Sequence, residues 1–308
     1  DLQEKSCPGV VCMDPHRLDR IMKSADSEQT TIALAKGKVR VSCGRGVYNL
    51  DTPDPDEFPQ MSYLDDDPFS VATHALKAAL TRTVFCTDDT DPRYALGGVK
   101  LEQHDQSLFV VGADGRRLAA AKIPLEGNVP DGTHVVPAHA VKHLLPLISG
   151  GGAALVRLSD SLIDVEAQGA RFTARLLAGR FPKWQQIFPG ERESLRLDTV
   201  VGPLLSSVRQ ASIVTNDESR GMDFRVNGGN LLVSASTSEI GDSESSVPVS
   251  CDGTCPPVTL DHQFVEDFIR TLPPDGEVSI DISDPGEGVV FSTEGEKYVV
   301  MPIVKSDS

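Results

Sequence analysis

Apolar residues recur at intervals of three and four positions in five stretches of the chain, a pattern that predicts amphipathic helices. The five predicted helices cover residues 14–24, 70–84, 137–148, 199–212 and 260–271. Between them, residues 38–50, 162–177 and 288–304 show partial alternation and contain turn residues, which indicates paired strands. Turns are predicted at Asp114-Gly115 and at Gly228-Gly229.

The helical stretches repeat along the chain. His16, His139 and His262 stand near three helix starts and are 123 residues apart. The same spacing aligns the apolar positions Leu18, Val141 and Phe264, and then Met22, Leu145 and Phe268. A repeat of this length fits two and a half times into the chain. We therefore expect an incomplete first domain at 1–62 and two complete domains at 63–189 and 190–308.

Each repeat contains helices and paired strands, which predicts an α+β fold with helices covering one face of a curved antiparallel sheet. With 308 residues, of which 39% are hydrophobic, the chain can build real cores. It has no apolar run near the roughly 18–20 residues that cross a bilayer, and its start lacks a basic stretch followed by an apolar one. We expect a soluble, cytoplasmic protein.

Six cysteines are expected to be free thiols, because a chain with an adequate core does not need disulfides. Cys7 and Cys12, or Cys251 and Cys255, do not form a paired CxxC site. We expect no metal and no cofactor.

The net charge of −16 argues against nucleic-acid binding, since phosphates are bound by lysine and arginine. The distribution changes that picture, because the first four predicted helices carry seven basic and two acidic residues. These basic residues could simply be solvated, or they could form a mildly basic face.

Residues 176–189, LLAGRFPKWQQIFP, carry more apolar surface than a linker requires. Gly179 and Pro182 interrupt regular structure, while Phe181, Trp184 and Phe188 are large and apolar. The segment could be a turn with core anchors or a docking surface.

A resemblance favours docking. The GRFP turn followed by an aromatic residue and a closing proline resembles the end of the middle domain of bacterial DNA sliding clamps, the beta subunits of the replicative polymerase. Further matches follow in register: RGVYNLDTPDPDEFP at 45–59, RYALGG at 93–98, ADGRRLA at 113–119, IVTNDESRG at 213–221 and YVVMPI at 298–303. The resemblance implies repeated clamp domains, helices lining the inner face and a ring. The opening part of the first domain has no counterpart here.

In that family, polymerases and clamp loaders bind through a short peptide with glutamine and hydrophobic residues. The resemblance implies a peptide pocket made of Leu96, Gly115, Arg116, Arg117, Leu118, Pro182, Gln186, Ile187, Phe264, Val299, Met301, Pro302 and Ile303. The chain departs from the family at Ala113, Arg116, Gln186 and Val304, which leaves the peptide preference open. Some pocket residues could also be ordinary core residues.

The resemblance also implies a head-to-tail homodimer around duplex DNA, held without sequence specificity. The expected interface residues are Tyr48 and Leu50 on one side and Ile213 and Val214 on the other. The expected DNA contacts are Arg20, Lys23, Lys77, Arg93, His139 and Arg209.

Two alternatives are weighed against this hypothesis. Acidic runs at residues 65–67 and at Asp88, Asp89 and Asp91 could bind a cation or support acid–base chemistry. They have no matching nucleophile or phosphate loop, so we expect no catalytic residue. The stronger alternative is a clamp-like peptide-binding adaptor, or an inactive clamp fragment, that never closes around DNA.

Overall fold

The computed structural model describes residues 10–35, 37–59, 63–88, 90, 94–189, 194–217, 219–251, 253–254 and 256–304. The chain divides into two compact units, Asp1–Ser62 and Tyr63–Ser308. The domain boundary expected within the second unit, between residues 189 and 190, stays a prediction.

The first unit packs a helix against a small antiparallel sheet. Helix α1 (Pro15–Lys23) begins after Asp14, whose side chain accepts a hydrogen bond from the backbone N–H of His16 at 2.9 Å. The strands lie in the order β1-β2-β3 and cover Thr30–Ala35, Lys38–Cys43 and Gly46–Asp51. Ile21 of the helix is buried with Val39 and Val41 of the central strand, so this unit has a core of its own.

Sixteen of the strands described by the structure belong to the second unit. They are β4 (Phe69–Ala72), β5 (Gly98–His104), β6 (Ser107–Ala113), β7 (Arg117–Pro124), β8 (His134–Pro137), β9 (Ala153–Leu158), β10 (Leu162–Ala167), β11 (Ala170–Arg175), β12 (Leu195–Val200), β13 (Gly221–Asn227), β14 (Asn230–Thr237), β15 (Gly241–Pro248), β16 (Val258–Asp261), β17 (Glu277–Ile282), β18 (Val289–Thr293) and β19 (Glu296–Val300). The helices are α2 (Thr73–Thr81), α3 (Ala138–Leu144), α4 (Val201–Ala211) and α5 (His262–Ile269).

These strands form one long antiparallel sheet and two shorter ones. The eight-stranded sheet has the order β12-β17-β18-β19-β7-β6-β5-β8, and the two four-stranded sheets have the orders β11-β10-β9-β4 and β15-β14-β13-β16. The long sheet joins strands far apart in sequence where β19 pairs with β7. The expected α+β fold with antiparallel sheets is confirmed.

The five predicted helices are all present among the described residues, but every predicted start is too early, that of α1 by one residue. Helices α2 to α5 each begin directly after a short strand, so residues 70–72, 137, 199–200 and 260–261 are strand residues. Val71, for example, pairs with Ala154 of β9. Helical spacing and strand alternation overlap in such short apolar runs, and the neighbouring strand decides between them.

Predicted helix ends are also too late, for local reasons. Helix α3 ends at Leu144 rather than at residue 148, because Pro146 has no N–H to donate to the previous turn. Helix α2 ends at Thr81, and Val84–Cys86 form a separate 3-10 helix.

The middle strand β7 is buried on both faces. Ala119 packs in the core that includes Leu204 of α4 and Phe268 of α5. Ala121 packs in a second core, which includes residues of α2 and α3. On the opposite face, Leu118 and Ala120 belong to a third set, which we call the Trp184 cluster: Leu96, Val111, Ala113, Leu118, Ala120, Trp184 and Val299, with Phe109, Phe181, Phe188 and Val290 half-buried around it.

Candidate partner-docking site

The pairing of β7 with β19 brings together two parts of the predicted pocket that lie far apart in the sequence. Leu118 lies opposite Val299. Just beyond the strand end, the backbone N–H of Met301 donates to the carbonyl oxygen of Arg116 at 2.8 Å. The chain then continues to β16, where the N–H of Ile303 donates to the carbonyl oxygen of Thr259 at 2.8 Å.

The β6–β7 turn presents the next two members of the pocket. Gly115 adopts a positive φ of 87°, and Asp114 Oδ1 accepts hydrogen bonds at 2.9 Å from the backbone N–H groups of Arg116 and Arg117. The predicted Asp-Gly turn is therefore present, and its tip, with Gly115 and Arg116, is exposed.

Three predicted pocket residues form a buried floor. Leu96, Leu118 and Val299 are all members of the Trp184 cluster and are 5%, 1% and 1% exposed. The expectation that some pocket residues are also core residues applies to these three. They can shape a docking surface but offer almost no area of their own to a ligand.

Exposed apolar side chains accompany that floor. Met301, Ile303 and Ile187 are 44%, 41% and 40% exposed. Pro182, Phe264 and Pro302 are half-buried, and Gln186 is exposed. Side chains of this kind, mobile and apolar over a rigid floor, suit a short hydrophobic peptide.

Arg117 is turned inward. Its Nε donates to Asp114 at 2.8 Å, its Nη1 to Asp267 at 2.8 Å, and its Nη2 to the Phe85 carbonyl at 3.0 Å. The guanidinium also lies 4.3 Å from the centroid of the Phe264 ring. This residue therefore joins the β6–β7 turn to helix α5, while its expected contact with a peptide stays a prediction.

The charge on Arg117 is firmly held. Burial alone would lower the pKa of the guanidinium, but Tyr298 and the hydrogen bonds to Asp267 and Asp114 outweigh burial and raise the pKa. Beside it, burial raises the pKa of the Tyr298 phenol well above its usual value. The Tyr298 hydroxyl donates to the Phe264 carbonyl at 2.8 Å, which fixes α5 against β19.

Residues 176–189, which we call the covering segment, hold Trp184 over the sheet. Trp184, Gln185 and Gln186 form a 3-10 helix, and the Trp184 Nε1 donates to Glu102 Oε2 at 2.5 Å. Burial would raise the pKa of the Glu102 carboxyl, but hydrogen bonds from Trp184 and Lys100 lower it overall. The aromatic rings anchor the segment, as the interpretation of a turn with core anchors expects, while the docking surface stays a prediction.

Two residues that help to shape this site, Gly288 and Asp267, were not predicted from the sequence. A Cβ atom at Gly288 would lie 2.6 Å from Val299 Cγ2 and 3.4 Å from Met301 Sδ, so the missing side chain makes room beside Met301. Asp267 accepts from Arg117 and also pairs with Arg270 at 3.2 Å. No local pattern marks either residue, because their partners lie in distant strands.

Five of the six predicted DNA contacts lie on helices. Arg20 and His139 are exposed on α1 and α3, while Lys77 on α2 donates to Ser149 Oγ at 2.8 Å. Lys23 pairs with Asp19 at 2.8 Å, and Arg209 pairs with Glu266 at 2.8 Å. Arg93 lies outside the described residues. These carboxylates reduce the free positive charge, and the DNA contacts stay predictions.

The four predicted interface residues differ in exposure. Ile213 is 76% exposed, and Val214 is half-buried. In the first unit Tyr48 is 36% exposed, whereas Leu50 packs on the core around Ile21. Leu50 is thus more buried within the first unit than Tyr48 is. The role of both residues in a dimer stays a prediction.

The acidic loops do not assemble a metal site in the part of the chain that the structure describes. Asp88 instead accepts hydrogen bonds from the backbone and hydroxyl of Thr90 at 2.9 and 2.8 Å, and Asp89 and Asp91 lie outside the described residues. Within the same ranges, every helix is too short or too polar to cross a membrane.

Comparison with known proteins places this geometry in context. Residues 70–183 match the family model for the DNA polymerase III beta subunit, central domain. The beta sliding clamp of Chlamydia pneumoniae is 25% identical over 300 residues, which cover 96% of this chain and 81% of the relative. That of Salmonella typhimurium is 26% identical over 302 residues, covering 96% and 82%.

The comparison of folds agrees with the comparison of sequences. The crystal structure of the DNA polymerase sliding clamp from Pseudomonas aeruginosa is 25% identical, has a TM-score of 0.88 and covers 99% of this chain and 84% of its own. A clamp from the same organism bound to griselimycin has a TM-score of 0.90 at 24% identity, with coverage of 99% and 84%. By sequence across nearly its whole length and by fold, this chain is similar to the bacterial beta sliding clamps.

Proposed function

We propose that this chain is a DNA polymerase processivity factor: a homodimeric ring that encircles duplex DNA without reading its sequence. It tethers the replicative polymerase, the clamp loader and other partners through a peptide-binding pocket. The proposal needs no catalytic residue and no cofactor, and it places the protein with the replication machinery in the cytoplasm.

One observation carries the pocket. The β7–β19 pairing sets exposed Met301 near a floor made of Leu118 and Val299, although these residues come from distant parts of the chain, and exposed Ile303 follows where the chain meets β16. Burying about 300 Å² of apolar surface there would contribute roughly 7 kcal/mol before the costs of ordering. That magnitude suits micromolar, exchangeable binding, as a shared tether requires.

The pocket is tested by Met301→Ala combined with Ile303→Ala. We expect the double variant to bind a synthetic peptide with glutamine and hydrophobic residues about tenfold more weakly, because several exposed methyl and methylene groups are lost. Fluorescence anisotropy measures the affinity. Ile240→Ala is the matched control, since Ile240 is 54% exposed and is not one of the predicted pocket residues.

Leu118→Ala is a poorer probe. Leu118 is 1% exposed, so truncation would also remove core packing at a cost of about 2–5 kcal/mol. Unchanged affinity in a folded Met301→Ala, Ile303→Ala protein would reject the pocket.

Encirclement requires a separate experiment. A closed ring loaded on circular DNA should stay bound and should leave once the DNA is cut, because topology and not affinity retains it. Equal retention on circular and linear DNA would reject the ring. Peptide binding without retention on either form would leave the clamp-like adaptor as the function.

A further inference from the structure

A second concavity lies on the same face of the eight-stranded sheet as the Trp184 cluster. It has a volume of about 420 Å³, within the range of known ligand pockets. Its apolar lining includes Phe109, Ala120, Trp184 and Phe188. The thirteen residues of the predicted peptide pocket are all absent from this lining, so the cleft is a separate feature.

The cleft exists because of one small residue. Val111, Ala120 and Lys297 lie side by side on neighbouring strands and point to one face. Ala120 leaves a depression between the larger residues of that face. Trp184 stands at its edge, 5.3 Å from the Phe109 ring and held by the hydrogen bond to Glu102. The walls are therefore fixed in place.

Two lysines line the opening. Lys122 is exposed with Nζ 6.0 Å from the Phe109 ring centroid, and Lys297 is exposed on β19. Among the residues that the structure describes, neither has a carboxylate within ion-pair distance. Burial raises the pKa of the Asp281 carboxyl, and the charge of Lys297 lowers it slightly, but the two side chains form no ion pair.

The nearby carboxylates are mostly engaged. Glu296 turns to Arg82, and Glu102 binds Lys100 and Trp184. Glu294 on the β18–β19 turn is exposed. In a chain of net charge −16, the cleft is thus an aromatic depression with two available positive charges.

We propose that this cleft is a second docking site, for an acidic segment of a partner protein that carries one aromatic or branched aliphatic side chain. The apolar side chain enters between Phe109, Ala120 and Trp184, and flanking carboxylates pair with Lys122 and Lys297. The site goes beyond the proposed function, because a partner held here leaves the predicted peptide pocket open.

The charges favour a protein over a nucleic acid. Two lysines match a short acidic motif, whereas a nucleic acid is bound through a larger number of phosphate contacts than two lysines can make. The shape of the cleft also favours a single inserted side chain.

The test uses the full chain and a short fluorescein-labelled peptide with a central phenylalanine flanked by aspartate and glutamate. We expect binding that weakens with salt and weakens about tenfold in two independent variants, since each removes contacts of roughly 1.4 kcal/mol. One is Ala120→Leu, which fills the depression, and the other is Lys122→Glu with Lys297→Glu. Lys23→Glu with Lys142→Glu, the same charge change at two exposed lysines outside the cleft, is the control and should bind as the parent does.

Further arms identify the site. A peptide with lysines in place of the acidic residues, or glycine in place of phenylalanine, should not bind, and Met301→Ala with Ile303→Ala should keep full affinity. The proposal is overturned if the peptide does not bind at a concentration of about 1 mM, because a dissociation constant above that value is too weak to hold a partner. Equal binding by the cleft variants in folded form, or tighter binding of single-stranded DNA than of the peptide at this cleft, also overturns it.

Discussion

Arg117 illustrates how a single side chain joins separate parts of the second unit. It contacts Asp114 on the β6–β7 turn and Asp267 on α5, and its guanidinium is mostly buried. Removing one partner of such a pair leaves the other charge buried and unpaired.

We expect Arg117→Met to lower the free energy of unfolding of the second unit by about 3 kcal/mol, because Asp114 would lose its charged partner and Asp267 would keep only Arg270. Denaturation followed by the fluorescence of the single tryptophan, Trp184, measures this. Arg116→Met, at the exposed neighbouring position, should change stability by less than about 0.5 kcal/mol. Equal stability of the two variants would contradict a structural role for Arg117.

Glu102 gives a pH dependence. Its pKa lies below the ordinary value of 4.5 in the folded protein, so the folded state holds its proton less tightly than the unfolded state. The stabilisation is present above pH 4.5 and is lost as the pH falls through the folded pKa. Glu102→Gln should therefore flatten the loss of stability below pH 4.5.

Thermal unfolding followed by circular dichroism across this range checks the expectation. In a Trp184→Phe background, which lacks the indole donor, the effect of Glu102→Gln should shrink. An undiminished effect would assign the pKa shift to Lys100 alone.

At the scale of elements, the β10–β11 hairpin holds the start of the second unit. Asp164 on β10 is fully buried, and its Oδ1 and Oδ2 share the single Nε–H of Arg171 at 2.9 and 2.7 Å. The guanidinium also donates to the Leu64 carbonyl at 2.7 Å and lies 4.3 Å from the Tyr63 ring centroid. A buried carboxylate thus orients the arginine that fixes residues 63 and 64.

We expect Asp164→Asn to free these two residues, because the neutral amide holds Arg171 less well. Limited proteolysis read by mass spectrometry should show cleavage after Tyr63 or Leu64 several-fold faster than in the parent. Glu166→Gln, at an exposed position of the same strand, should leave the rate unchanged. Equal rates in all three proteins would show that another contact holds the segment.

Elements also show the limits of local pattern. The five helices follow from apolar spacing, and the Asp-Gly turn follows from its sequence. The helix starts do not follow from local sequence, since residues 70–72 and 199–200 satisfy both helical and strand patterns. They are strand residues because β9 and β17 lie beside them.

At the scale of the whole molecule, the proposed ring predicts a dimer. Light scattering across a concentration series should give twice 33.0 kDa. Ile213→Asp should shift the mass to that of a monomer, because a charge would enter the apolar centre of the expected interface. Ile240→Asp, at another exposed isoleucine of the same unit, is the control. A monomer at every concentration would reject the ring while leaving the peptide pocket intact.

The sequence by itself determined the α+β fold and the resemblance to bacterial sliding clamps, because apolar spacing, turn residues and short motifs are local properties. Tertiary structure decided the use of each site residue. Strand pairing across long sequence separations buries Leu118 and Val299 and leaves Met301 exposed. The tertiary structure also turns Arg117 toward Asp267 and forms the cleft above the small side chain of Ala120. Which face a residue shows, and what it meets there, depends on partners that its own segment does not contain.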